Sequence, residues 1–178
     1  FREEVESLFN SGHPLKDRLV ISRKAHLILP THRLLDAAGE KALGAQKVGT
    51  TGKGIGPTYT DKVSRHGVRV GDIEGDFEAN YKRAKERHLG MLRGMGVEVP
   101  DLFAAVEYLR QFRFVDSEFV INNTLKSGKN ILAEGAQGSM LDIDFGSYPF
   151  VTSSNTICAG SCVGLGVSPR AIGDVYGI

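Results

Sequence analysis

Residues 131–156 read ILAEGAQGSMLDIDFGSYPFVTSSNT, and no other stretch of the chain says as much about the fold. The pattern predicts a short apolar strand, a turn that carries Gln137 between Gly135 and Gly138, and a second strand-like run. The two glycines allow a sharp turn and the close approach of a ligand. The stretch ends in a cluster of hydroxyl and amide side chains: Thr152, Ser153, Ser154, Asn155 and Thr156. Such a cluster can donate hydrogen bonds to an anion without adding net charge.

A second glycine-rich segment lies upstream, where residues 48–72 read VGTTGKGIGPTYTDKVSRHGVRVGD. Four glycines within eight residues exclude the interior of a stable helix or strand. Pro57 suits the first turn of a helix, because its missing N–H has no partner there anyway. We predict that helix over residues 57–66, with Lys62 and Arg65 one turn apart on neighbouring parts of one face.

The glycine-rich segment favours a phosphate as its ligand. It offers the hydroxyls of Thr50 and Thr51, free backbone amides and a basic helix face within a short span. It is not a Walker A loop, because Ile55 stands six residues after Gly49, where that motif has Lys. The alternative interpretation is a glycine turn followed by a solvated basic helix.

Length and composition restrict the classes of protein that the chain can represent. The 178 residues are 41% hydrophobic and 24% charged, as is typical of a globular domain. The formal net charge of +1 argues against a general nucleic-acid binder, which usually shows a broad basic excess. There is no apolar run of about eighteen residues and no signal-peptide pattern, so neither a membrane span nor a secretory leader is predicted.

Strands that alternate with helices predict an α/β fold with a mainly parallel sheet and flanking helices. The predicted strands are residues 18–22, 26–29, 68–70 and 129–134. The predicted helices are residues 1–10, 31–43, 57–66, 76–93 and 101–112, with a break towards residue 126 and a last helix from Pro169. Thr31 is predicted to cap the second helix, Gly44 to end it, and Asp101 to cap the fifth.

Several other polar residues invite a chemical role. Asp142 and Asp144 alternate in LDID, and we favour structural or interface roles over metal binding or acid–base catalysis. Cys158 and Cys162 suggest a disulfide or a two-thiol metal site, or else two small buried residues in a reducing cytoplasm. We favour the second reading, because no His, Asp or Glu adjoins them. The five histidines are scattered, without metal-like or triad-like spacing: His13, His26, His32, His66 and His88.

Together the two segments resemble the adenylosuccinate synthetase family. The matching strings are GTTGKGIGPTYTDKVSRHGVRVGD and ILAEGAQGSMLDIDFGSYPFVTSSNT, with DRLVISRKAHLILPTHRLLD before them and SPRAIGDVYGI after them. The resemblance runs from near Asp17 to the last residue and implies a P-loop-NTPase-like α/β fold, here incomplete, over residues 1–178. One departure is Phe145, which stands where the family pattern often has His.

The resemblance implies an IMP site made of four residues. By the family pattern, Thr51 and Thr152 contact the 5′-phosphate of IMP, and Gln137 contacts the hypoxanthine base. Arg65 reaches across a homodimer interface to the phosphate in the partner subunit's site, where its planar fork suits a dianion. Lys62 and Arg69 add positive potential in a secondary role.

The activity implied by the resemblance is a cytoplasmic, GTP-dependent ligation of IMP and L-aspartate to adenylosuccinate, through 6-phosphoryl-IMP and with Mg²⁺ as cofactor. The family's GTP phosphate loop, catalytic aspartate and histidine, aspartate-binding loop and guanine-recognition residues have no counterpart in residues 1–178. The chain is therefore expected to be an internal piece of the enzyme, without catalytic residues or metal ligands, and inactive alone. The alternative is a non-catalytic module for nucleotide or phosphate binding, or for dimerisation.

Overall fold

The computed structural model describes residues 1–46, 49–93 and 95–177. The α-helices in these ranges are α1 (Arg2–Asn10), α2 (Pro30–Leu43), α3 (Ile55–Ser64), α4 (Phe77–Met91), α5 (Phe103–Leu109), α6 (Ser117–Lys126) and α7 (Cys158–Leu165). The strands are β1 (Val20–Ser22) and β2 (Arg113–Val115), and single 3₁₀ turns occupy Gly44–Gln46, Val70–Glu74, Ser139–Leu141 and Pro169–Ala171. No helix in the described ranges combines the length and apolar character needed to cross a membrane.

The two strands pair in parallel, with Ile21 opposite Phe114 at the centre of the register. A parallel pair needs a long crossover, and here α2 to α5 supply it. β2 was not predicted, because it falls where a break in a helical stretch was expected. The predicted strands around His26 and Arg69 reduce to one antiparallel bridge between these two residues. The α/β class with a parallel sheet is nevertheless confirmed.

The apolar core lies between the strands, α4 and α5. Its buried members are Leu29, Val68, Val70, Ile73, Phe77, Tyr81, Ala84, Val106, Phe112 and Phe114. Helix α4 buries Phe77, Tyr81, Ala84 and His88, which recur at the spacing of one helical face. Asp76, the first residue of the predicted helix, caps it, since its carboxylate accepts the N–H of Ala79 at 3.2 Å.

Helix α2 starts one residue before the predicted cap, Thr31. Pro30 is its first residue, where a fixed φ suits the helix. The N–H of Leu29 donates to His32 Nδ1 at 2.9 Å, so the imidazole performs the capping that was predicted for Thr31. Gly44 ends the helix as predicted.

Helix α3 is shifted towards the N-terminus from the predicted 57–66. Gly54 caps its start with a φ of 81°, and Arg65 caps its end with a φ of 66°. A side chain at Gly54 would place its Cβ 2.9 Å from backbone atoms of His32 and Arg33, so this cap must be glycine. Arg65 consequently lies beyond the helix, and the prediction that it shares a helical face with Lys62 is wrong.

The region after α6 lacks the two predicted strands. Residues 129–134 form neither a strand nor a helix in the described chain, and Leu132 is 91% exposed. The second strand-like run forms the turn Ser139–Leu141 and further turns, and the predicted helix from Pro169 is only the turn Pro169–Ala171. An apolar run becomes a strand only beside a partner that takes its hydrogen bonds.

Candidate functional site

A cavity of about 520 Å³ lies between α2, α3 and the loop that carries Thr152. Thr50 and Gly56 line it from the glycine-rich segment, and Thr152 and Ser153 line it from the hydroxyl cluster. A Cβ at Gly56 would lie 3.5 Å from Ser153 Oγ, in van der Waals contact. Two segments almost 100 residues apart in sequence therefore meet at one cavity.

The structure brings only one of the four predicted IMP residues to the wall of this cavity. Thr152 lines it, whereas the neighbouring Thr50 takes the place expected for Thr51, which is exposed beside it. Arg65 and Gln137 are exposed and lie outside the described lining. Both have left-handed backbones, with φ of 66° and 65°, a conformation that is uncommon outside glycine and recurs at functional positions.

Helix α2 holds both ends of the glycine loop, defined here as residues 49–54. The N–H of Gly49 donates to Glu40 Oε2 at 3.2 Å, and the N–H of Gly54 donates to Asp36 Oδ2 at 2.8 Å. Asp36 and Glu40 lie one helical turn apart, so the two hydrogen bonds come from one face of α2. The prediction of free backbone amides is therefore wrong at these two glycines.

The cavity wall is acidic and apolar rather than basic. Three carboxylates, those of Asp36, Glu40 and Asp61, line it, and no Lys or Arg does so among the described residues. The apolar part of the wall includes Leu35, Leu43, Met91, Ile143, Tyr148 and Val151. A phosphate dianion near this wall needs a cation from elsewhere to offset the carboxylates.

At the wall of the cavity, which Asp61 and His88 line, the buried residues His32, Asp61 and His88 form a cluster with the half-buried Arg87 that the sequence analysis did not predict. Asp61 Oδ2 lies 3.1 Å from His32 Nε2, 3.0 Å from His88 Nε2 and 2.7 Å from an Arg87 guanidinium nitrogen. Both imidazoles are fully buried. The two histidines seemed unrelated in the sequence because α2 contributes His32, α3 contributes Asp61, and α4 contributes Arg87 and His88, so only helix packing brings them together.

The hydrogen bonds fix the tautomers of both imidazoles. His32 Nδ1 accepts the Leu29 N–H, so Nε2 carries the proton and donates to Asp61. At His88, Nε2 likewise donates to Asp61, and Nδ1 accepts from the Thr31 hydroxyl at 2.7 Å. Both rings are therefore neutral donors to one carboxylate.

Burial explains the ionisation of this cluster. Desolvation lowers the pKa of His32 and of His88, against the hydrogen bonds and charge of Asp61, which raise it. Burial alone would raise the pKa of Asp61, but the His32 hydrogen bond, the interaction with His88 and the charge of Arg87 reverse the direction and lower it. The stable form at neutral pH is a carboxylate between two neutral imidazoles and a guanidinium.

The cluster has the residue types of a metal site but not the chemistry of one. Its ligand atoms lie within 4.8 Å of one another. However, a metal on His32 Nε2 would leave Nδ1 to carry the proton, and Nδ1 already accepts the N–H of Leu29. The guanidinium of Arg87 on Asp61 also opposes a cation. The cluster fits a hydrogen-bond network and not a metal centre.

Asp142 organises the loop that carries the hydroxyl cluster. Its buried carboxylate accepts the N–H groups of Asp144 at 2.9 Å, Phe145 at 3.1 Å, Thr156 at 2.6 Å and Ile157 at 3.2 Å. Burial opposes ionisation, but these four donors bring the pKa of Asp142 down to about 2. These contacts give Asp142 a structural part in the loop, one of the two roles, structural or interface, that the sequence analysis favoured.

The remaining polar residues of this region have local contacts. Asp144 accepts Asn155 Nδ2 at 2.7 Å. Cys158 and Cys162 are free thiols, so the disulfide reading fails. The expectation that both thiols are buried is wrong for Cys158, which is exposed at the start of α7.

These features define an α/β protein with a small-molecule cavity between a glycine loop and a hydroxyl-rich loop. The family model described as adenylosuccinate synthetase matches residues 1–178. The chain belongs to the adenylosuccinate synthetase family, and the resemblance seen in its two motifs is confirmed.

Individual relatives agree in name and differ from this chain in length. The adenylosuccinate synthetase of Porphyromonas gingivalis is 68% identical over 185 residues, which cover 100% of this chain and 44% of that protein. The one from Flavobacterium psychrophilum is 52% identical over 187 residues, again 44% of its length. The structure of fully ligated adenylosuccinate synthetase from Plasmodium falciparum has a TM-score of 0.85 and 34% identity, over 97% of this chain and 42% of that one. The chain thus spans less than half the length of these relatives.

Proposed function

We propose that this chain supplies the IMP-binding part of an enzyme that ligates IMP and L-aspartate to adenylosuccinate at the expense of GTP. The observation that carries the proposal is the meeting of the glycine-rich segment and the hydroxyl cluster at one cavity, which Thr50 and Gly56 line from one side and Thr152 and Ser153 from the other. The family membership of the whole chain supports the choice of substrates.

The chemistry assigned to the complete enzyme is activation followed by substitution. The 6-oxygen of IMP takes the γ-phosphoryl group of GTP and GDP leaves, which converts a poor leaving group into a good one; the amine of aspartate then displaces phosphate and gives up a proton. When bound, Mg²⁺ supplies charge neutralisation on the transferred phosphate. The His32–Asp61–His88 cluster does not suit this ion, which prefers oxygen ligands. In our proposal this chain binds and orients IMP, and the reacting groups lie outside it.

Four residues bind IMP in this proposal. The hydroxyls of Thr51 and Thr152 donate to the 5′-phosphate, and the Gln137 amide contacts the base. The wall of the cavity is acidic, so a cation must come from another part of the assembly. Arg65 of a partner subunit meets that need, because it is exposed and its left-handed backbone places it beyond the end of α3. The active species is therefore proposed to be a homodimer.

We also assign the protein to the cytoplasm. Free thiols at Cys158 and Cys162 suit a reducing compartment, and one of them is exposed.

A chimeric enzyme tests the proposal directly. This chain would replace the matching segment of the Porphyromonas gingivalis synthetase, to which it is 68% identical, and formation of adenylosuccinate from IMP, aspartate and GTP would be followed. We expect a kcat within about tenfold of the parent enzyme, since a folded graft keeps the binding geometry. A folded chimera without turnover would contradict the proposal.

Substitutions in the same chimera separate the site from the scaffold. Thr152→Val removes a hydroxyl from the cavity wall, and we expect it to raise the KM for IMP about tenfold, the equivalent of one hydrogen bond to a charged group. Thr124→Val is the matched control, because the Thr124 hydroxyl donates to the Val120 carbonyl of its own helix and Thr124 does not line the described cavity. Equal KM values for the two variants would remove Thr152 from the site. Calorimetry of the 178-residue chain with IMP then asks whether this piece binds nucleotide without the rest.

A further inference from the structure

The buried cluster around Asp61 has no part in the proposed IMP contacts, although it joins the three helices next to the cavity. Asp61 belongs to α3, His32 to α2, and His88 and Arg87 to α4. Three donors from two neighbouring helices meet on one oxygen, Asp61 Oδ2, within 3.1 Å. Moving any of these helices would break a charge-assisted hydrogen bond in a low-dielectric interior, so the cluster fixes their relative positions.

Helix α3 is the element whose position matters most for phosphate binding. The glycine loop with Thr51 enters its N-terminal end, and Arg65 caps its C-terminal end. Two of the residues proposed to bind phosphate therefore move with α3. A shift of this one helix would displace both of them.

The cluster also reaches the first turn of α3. The Thr58 hydroxyl donates to the Gly54 carbonyl at 2.7 Å and lies 2.9 Å from His32 Nδ1. Gly54 in turn packs directly on the backbone of His32 and donates its N–H to Asp36. The imidazole that bonds Asp61 in the middle of the helix thus also contacts the turn from which the glycine loop extends.

We propose that His32, Asp61 and His88 are positioning residues for the phosphate-binding groups at both ends of α3. The inference rests on the proposed function, because the role assigned to these three residues is to align α3 with bound IMP. The 5′-phosphate is remote from the 6-oxygen that reacts. A loosened α3 therefore weakens the capture of IMP more than the turnover of IMP once bound.

The first test compares two substitutions at His88 in the chimeric enzyme. His88→Gln keeps an N–H donor near the position of Nε2, whereas His88→Phe has a similar size and no donor. We expect His88→Phe to raise the KM for IMP about tenfold with kcat within about twofold of the parent, and His88→Gln to stay within about threefold on both. His13→Phe, at an exposed histidine near α1, is the control and should change neither constant. A fall in kcat with KM unchanged, or identical values for His88→Gln and His88→Phe, overturns the proposal.

Thr31→Val keeps the test decisive if His88→Phe does not fold. This substitution preserves shape and removes only the hydroxyl that orients His88 through Nδ1. We expect the KM for IMP to rise about threefold at unchanged kcat. A KM equal to that of the parent overturns the proposal.

Hydrogen exchange on the same proteins separates this inference from the proposed function. If the unsubstituted chimera turns over IMP, the kinetic comparison stands. If it does not, the proposed function fails, and the amide exchange of α3 in Thr31→Val decides whether the cluster holds the helix. Amide exchange of α3 that is about tenfold faster in Thr31→Val than in the parent supports the proposal that the cluster holds this helix in position. Exchange equal to that of the parent overturns the proposal.

Discussion

Residues 19–115, the central region, and residues 129–177, the C-terminal region, hold their shape by different physical means. The central region surrounds a buried apolar core and a buried polar cluster. In the described part of the C-terminal region only Asp142 is buried, while large apolar side chains face solvent. The most exposed of these side chains are Leu132, Met140, Phe145, Tyr148, Phe150, Val163, Val175 and Tyr176.

The difference teaches how the cavity is assembled. The central region supplies the part of the cavity wall that α2 and α3 form. Its buried apolar core stabilises these helices, because burial of apolar area is the main favourable term in folding. The C-terminal region brings the hydroxyl cluster on a loop that one carboxylate ties together through backbone N–H groups. The exposed apolar side chains of the second region are suited to be covered by further protein surface.

Truncation of the core should produce the largest effect and tests the first half of the comparison. Phe77 is 3% exposed and packs against Tyr81 and Phe103. We expect Phe77→Ala to lower the free energy of unfolding by about 3–5 kcal/mol, as is usual for a buried phenylalanine. Phe150→Ala is the matched control at 61% exposure and should stay within about 0.5 kcal/mol. Urea unfolding followed by circular dichroism measures the free energy of unfolding of both variants. Equal losses of stability would contradict the conclusion that the apolar core of the central region stabilises the fold more than the exposed side chains of the C-terminal region do.

Alanine at Gly54 should have the next largest effect, because this residue joins the glycine loop to the central region. A left-handed φ costs an alanine about 1–2 kcal/mol, and the contact with the backbone of His32 adds strain, for a total of about 2–4 kcal/mol. Gly52→Ala has a φ of 65° and open space around the added Cβ, so it carries only the first cost. Thermal unfolding of the two variants measures the difference, which would vanish if Gly54 did not pack on α2.

The sequence predicts those elements that are encoded locally. Helix α4 was predicted over residues 76–93 and forms over Phe77–Met91, and α2 ends at Gly44 as expected. Helix α3 begins earlier than predicted because Gly54 packs on the backbone of α2, a contact between residues far apart in sequence. Residues 129–134 failed as a strand because strand formation depends on a partner and not on apolar character alone.

The candidate site was predictable only in part, for a similar reason. The hydroxyls of Thr50 and Thr152 could be named from the sequence, because one lies in a glycine-rich segment and the other in a cluster of hydroxyl and amide side chains. The cluster of His32, Asp61 and His88 did not, because each residue looks like an isolated polar group on its own helix. One signal was available: His32 stands three residues after Leu29, where a side chain can reach back to cap the start of α2.

The two regions should respond to acid in separate pH windows. Folding lowers the pKa of His32 and of His88 from the ordinary 6.5, so the unfolded state binds more protons as the pH falls. Their contribution to stability is full above pH 6.5 and is lost as the pH falls through the folded pKa values. For Asp142 the contribution is full above the ordinary 3.8 and is lost as the pH falls towards about 2. The helices α2 to α4 should therefore loosen first.

Amide exchange across this pH range, corrected for the intrinsic rate, measures the order of the two transitions. The amides of α3 report on the central region, and those of Thr156 and Ile157 report on the Asp142 loop. Asp142→Asn should abolish the second transition and leave the first, whereas Asp144→Asn should preserve both. If the amides of the Asp142 loop lost their protection at a higher pH than those of α3, the predicted order of the two transitions would be wrong.

The smallest effect on stability is expected at Leu132, and it sharpens the second half of the comparison. The side chain is 91% exposed, so Leu132→Ser should change the free energy of unfolding by less than about 0.5 kcal/mol. The same change removes part of an exposed apolar surface and should reduce self-association of the 178-residue chain, measured by sedimentation at increasing concentration. In the chimeric enzyme, where more protein surrounds the segment, Leu132→Ser should instead be destabilising, by about 2 kcal/mol if the side chain becomes buried. An equal and small effect in both settings would show that Leu132 faces solvent in the whole enzyme as well, and that the C-terminal region needs no cover at this position.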